Sequence, residues 1–111
     1  MPHYMFRFCF KDNAIKALTE TPNDRQAAAR QLIEAFGGRM VSYYFALGEY
    51  DGYVVTEFPD TVSASAASLR VASTGNFSKF ETCALLTPAE AMQAMQKAKA
   101  AGPGSYRPPT G

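Results

Sequence analysis

Bulky aromatic side chains recur at every second position of residues 3–10, HYMFRFCF. A period of two belongs to a strand, with Tyr4, Phe6, Phe8 and Phe10 on one face and His3, Met5, Arg7 and Cys9 on the other. The period then lengthens. A short helix is predicted from Asp12 or Asn13, and it breaks at Thr21 because Pro22 disfavours helical geometry in the residue before it. Thr21 as cap, Pro22 in first position and Asp24 near the N-terminus predict a restart. Ala28, Ala29, Leu32, Ile33 and Phe36 fall along one side of that second helix. Gly37-Gly38 ends it by supplying the left-handed conformation common at helix C-termini.

Strands are predicted over 39–47 and 52–58, joined by a hairpin. Pro59 stops the latter strand, and Asp60 caps a helix whose apolar stripe is Val62, Ala66 and Leu69, with Ala72 or Ser73. Gly75-Asn76 closes that helix, residues 77–86 form a fourth strand, and TPAE at 87–90 is a capping box with proline in first position. The final helix carries Met92 and Met95 at a spacing that suits packing on one face. A domain over 1–100 is followed by a polar Pro/Gly-rich tail over 101–111, expected to be disordered.

The order βαββαβ plus a terminal helix most simply makes an α+β, ferredoxin-like sandwich, with helices on one face of an antiparallel sheet. Either face of the first strand carries apolar groups, so the uncovered face of the sheet exposes more apolar surface than a monomer usually tolerates. A sheet-mediated homodimer or larger homo-oligomer is therefore expected, and a cleft between sheet and partner is the natural place for a small organic ligand.

Composition narrows the function classes. A net charge of +1 without a basic stripe argues against nucleic acid. No apolar run reaches membrane-span length, and no secretion signal is recognised, so no membrane partner and a cytoplasmic location are expected. Cys9 and Cys83 lie far apart inside predicted strands and read as buried, inert thiols. With His3 the sole histidine, a metal site of ordinary ligands is hard to assemble, and no metal or cofactor is expected.

The run GGRMVSYYFALGEYDGYVVTEFPD resembles the GYD-domain family, whose Gly, Tyr and Asp correspond to Gly48, Tyr50 and Asp51 here. ARQLIEAFGG before it, PD at its end, GN at 75–76 and ETCALLTPAE extend the likeness over about residues 2–97. The resemblance implies a ferredoxin-like fold akin to the dimeric α/β barrels and no established general activity.

Within Gly48–Gly52, Gly48 in positive φ, Asp51 accepting turn N–H bonds and Tyr50 closing the core with its hydroxyl in solvent account for every residue type. The alternative makes Glu49 or Asp51 a general base beside Tyr50. His3 is the best proton-transfer group near neutral pH, so His3 and Asp51 are the catalytic candidates. Arg7, Tyr43 and Tyr50 are the ligand-binding candidates. Arg7 needs a carboxylate, with Glu57 and Glu81 as choices, or an anionic ligand. Of Tyr43 and Tyr44, one faces the core and the other the open side. No nucleophile or acid/base dyad announces itself, which favours a non-enzymatic small-molecule binder. The alternatives are a cofactor-free enzyme of dimeric α/β-barrel type (isomerase, decarboxylase or monooxygenase) and a purely structural assembly protein. Pro2, freed by loss of Met1, would suit a tautomerase base, a further and weaker option.

Overall fold

The N-terminal alternation becomes strand β1, His3–Phe10, in the computed structural model, which describes residues 1–110. Gly111, the last residue of the expected tail, lies outside the described residues. Helices α1 (Asp12–Glu20) and α2 (Arg25–Ala35) follow. Then come β2 (Arg39–Phe45), β3 (Gly52–Glu57), α3 (Thr61–Ala72), β4 (Phe77–Leu85), α4 (Pro88–Ala101) and a 3-10 turn at Pro103–Ser105. The strands run β2-β3-β1-β4, each antiparallel to its neighbour. This is the α+β, ferredoxin-like sandwich with an added C-terminal helix.

The face of β1 that meets the helices is the aromatic one. Tyr4, Phe6 and Phe8 are buried and join Val54, Phe58, Ile33, Ala64 and Ala67 in the core. Phe58 sits edge-on to Tyr4 at 6.1 Å and tilted against Phe6 at 5.9 Å between ring centroids. Thr56 is fully buried but satisfied, since its hydroxyl donates to the Tyr4 carbonyl at 3.0 Å.

Most boundaries follow their local signals. Asp60 accepts the Ser63 N–H at 2.8 Å, and Thr87 and Glu90 form the reciprocal capping box. The start of α2 lies later than Pro22 suggests. Asp24, not Thr21, is the cap and accepts the Ala27 N–H at 3.0 Å. A carboxylate there satisfies a free donor and also meets the positive end of the helix. Gly38 is required by space, because a Cβ there would lie 2.7 Å from the Glu57 carbonyl oxygen and the Phe58 ring.

Helix α3 is rotated from the expected stripe. Ala64 and Ala67 are buried, while Val62 and Leu69 are 79% and 71% exposed. The alanine face lets the helix settle close to the sheet, where Ser68 accepts a hydrogen bond from Thr82 at 2.7 Å. Tyr4 and Thr61 join at 2.9 Å on the same side.

Helix α4 buries none of its residues, and Met92 and Met95 are 59% and 69% exposed. The packing expected of these methionines is not made within the chain. The main tertiary neighbour of α4 is the short turn after it. The radius of gyration is 17.8 Å, against roughly 13 Å for a compact chain of this length. Helix α4 stands off the sandwich as an arm.

Candidate functional site

The open face of the sheet, opposite the aromatic core, gathers the charged residues of the strands. Cross-strand register sets Leu85, His3, Glu57 and Arg39 on one rung, and Cys83, Met5, Val55 and Ser42 on the next. Glu81, Arg7, Tyr53 and Tyr44 form a third. An apolar centre thus lies between two charged rungs. Cys9 and Cys83 are on this face and only half-buried, not sealed in the core.

The hairpin folds Tyr50 back over the third rung. Its ring is buried, 4.6 Å from the Arg7 guanidinium carbon and 4.8 Å from Lys79 Nζ. Its hydroxyl donates to the Glu81 carboxylate at 3.0 Å, so it is not left in solvent. Arg7 Nε donates to the same carboxylate at 2.6 Å, which resolves the choice between Glu57 and Glu81. Arg7, with Tyr50 and Lys79 adding to it, holds the Glu81 carboxyl below the ordinary carboxylate value against the opposing effect of burial.

Asp51 performs a different task. Its carboxylate accepts the Phe10 N–H at 2.9 Å, while its own N–H donates to the Phe8 carbonyl at 2.8 Å. The side chain thereby ties the hairpin to β1, not to its own turn. Gly48 lacks the positive φ expected of it, and a Cβ there would meet nothing. Gly52 is the constrained glycine, since a Cβ would collide with the Phe8 ring.

His3 lies at the opposite end of β1 from Asp51, roughly 20 Å away along the strand. Its Nε2 is 3.2 Å from Glu57, which also accepts from Arg39 Nε at 2.7 Å. Arg39, with lesser help from His3, pulls the Glu57 carboxyl below its usual value. His3 Nδ1 is buried without a partner among the described residues. The residues singled out from sequence therefore divide. Arg7 and Tyr50 come together, His3 and Asp51 do not, and Tyr43 is on the other face, beside Val54 and Phe8. Glu81 and Lys79 complete the cluster. Their place opposite Arg7 and Cys9 depended on the β1–β4 register, which strand patterns alone do not fix.

The sequence profile of the GYD domain matches residues 4–95. The chain belongs to the GYD-domain family. A relative from Thermus thermophilus, named glutamine synthetase and cystathionine beta-lyase binding protein, is 30% identical over 76 residues. The match spans 68% of this chain and 80% of that relative.

In this GYD domain the hairpin Tyr and Asp are fasteners on either side of β1. The Tyr50–Arg7–Glu81–Lys79 network is internally paired and offers no unengaged base. Among the described residues no three His, Cys, Asp or Glu side chains are placed to hold a metal, and no helix is long and apolar enough to cross a membrane.

Tyr50→Phe is expected to lower the melting temperature by a few degrees without altering the circular dichroism spectrum. An unchanged melting temperature would mean that the hydroxyl bond to Glu81 contributes nothing. Acid should act on the same network. Glu81 and Glu57 are depressed in the fold, so their stabilisation is complete above the ordinary value of 4.5 and is lost as pH falls through the lower folded values. Urea midpoints should therefore hold from about pH 7 to about pH 5 and then fall, with a shallower fall in Glu81→Gln. Equal slopes in the two proteins would exclude Glu81 as a source of the acid sensitivity.

Proposed function

We propose that this GYD-domain protein is a non-catalytic binding module that acts by protein contact, pairing with a second copy through the open sheet face. The observation that carries this reading is the apolar rung Cys83–Met5–Val55, lying between charged rungs on the face of the sheet opposite the aromatic core. A four-stranded face is roughly 20 by 20 Å, about 400 Å² in projection. A standard interface takes about 800 Å² per partner. Helix α4, roughly 21 Å long, supplies further surface, and its exposed Met92 and Met95 are adaptable contact residues. Small ligands, if taken between the copies, would meet Arg7 and Tyr50 at the third rung.

The name of the Thermus thermophilus relative supports an enzyme as the further partner. Catalysis is the weaker reading, because His3 is engaged by Glu57 and lies at the far end of β1 from Asp51. Biolayer interferometry of the purified protein against glutamine synthetase and cystathionine beta-lyase from the same cell tests the enzyme contact. Saturable binding to either supports it. Flat responses to both at tens of micromolar would remove the enzyme partner and leave self-pairing alone.

A further inference from the structure

A cavity lies on the face of the sheet opposite the open one. Helix α2 packs chiefly on β2 and α3 on β4, the two edge strands, so the central strands β1 and β3 lie beneath a gap. The gap encloses about 440 Å³. That is within the usual range for small-molecule sites, roughly 300–1,000 Å³. Phe6, Phe8 and Val54 floor it, Phe77 and Phe80 wall one side, and Ala28 and Ala29 of α2 face them. Phe8 meets Phe77 edge-on at 5.3 Å and lies nearly parallel to Phe80 at 5.9 Å, so the wall is a rigid aromatic surface.

The charged residues lining the cavity are both arginines, Arg25 at the start of α2 and Arg70 near the end of α3. Among the described residues no Asp or Glu lines it. Neither guanidinium pairs with a carboxylate among the described residues; Arg25 Nη1 donates to the Asn23 side-chain oxygen at 3.1 Å. Arg25 is also close enough to Tyr43 to oppose the rise that burial imposes on its hydroxyl pKa. Tyr43 thus remains a neutral donor facing the same cavity. Two guanidiniums without carboxylates over an apolar aromatic chamber form a site for one kind of molecule.

We infer that this cavity binds an amphipathic organic anion, an aromatic body with its carboxylate or similar acid group held by Arg25 and Arg70. A dry cavity of roughly 150 Å³ takes one benzene, so the chamber suits a body of two or three rings. Arginine forks match a carboxylate in two parallel hydrogen bonds, and the Phe8–Phe77–Phe80 wall suits a flat ring. The site is independent of the open face, which lies across the sheet.

Anilinonaphthalene sulfonate and phenylnaphthylamine separate charge from ring burial, since the second carries similar rings without the acid group. Titration of the native protein by fluorescence should give one saturable site per chain for the sulfonate. The double variant Arg25→Gln/Arg70→Gln should raise its dissociation constant roughly tenfold or more, with phenylnaphthylamine changed by less than about twofold. Ala29→Phe, which fills the chamber, should abolish both signals while near-ultraviolet circular dichroism stays native. Met5→Glu on the open face should change neither. The inference is overturned by absence of saturable binding, by sulfonate affinity indifferent to both arginines, or by loss of binding in Met5→Glu with retention in Ala29→Phe.

Discussion

Gly52→Ala is expected to lower the melting temperature by roughly 5–15 °C, the loss that about 1–3 kcal/mol of overpacking brings to a domain of this size. The cause is a single contact. The Phe8 ring lies over the Gly52 backbone where a methyl group would sit, and Phe8 is itself wedged against Phe10, Phe77 and Phe80. Strain is not involved, because Gly52 is not among the glycines with positive φ. In a Phe8→Leu background the added methyl group should therefore cost much less, measured as a double-mutant cycle in urea. Gly48→Ala is the contrast: with nothing near its Cβ position, it should change stability by less than about 0.5 kcal/mol. Equal effects at the two glycines would refute the ring contact.

On the proposed pairing through the open face, Met5→Glu is expected to weaken association between copies of the chain. Met5 lies on the apolar rung between Cys83 and Val55, where a partner sheet would strip water from a new carboxylate with no cation beside it on that rung. An unpaired buried charge should weaken association by roughly a hundredfold or more. The isolated chain should keep its fold, because Met5 is half-exposed and outside the core. Sedimentation velocity across a concentration series measures the shift directly. Association unchanged by the carboxylate would move the interface away from this face.

The fold was largely legible because its signals were local and agreed with one another. Alternation in β1, the alanine side of α2, the Asp60 cap and the Thr87–Glu90 box each act within a few residues. The misreadings came where a larger side chain was assumed to mark the buried face. Val62 and Leu69 outweigh Ala64 and Ala67 in apolarity, yet close approach to the sheet selects the smaller pair. Met92 and Met95 have the spacing of a packed stripe, but pattern cannot tell packing within a chain from packing between chains.

The site was legible one residue at a time and not as an arrangement. Arg7 signalled its need for a carboxylate, whereas the choice of Glu81 waited on strand register. Tyr50 was expected at the end of the core, and instead crosses to the open face, because Asp51 fastens the hairpin to the Phe10 N–H. The cavity left no local signal at all. It arises from α2 and α3 settling over opposite edges of the sheet, with Arg25 and Arg70 far apart in the chain.

Native mass spectrometry of the wild-type protein, purified without denaturation, tests the central claim most directly. A dimer or larger closed oligomer at tens of micromolar, reduced to single chains by Met5→Glu, is the expected result. A wild-type monomer at that concentration would contradict the open face as a self-pairing interface.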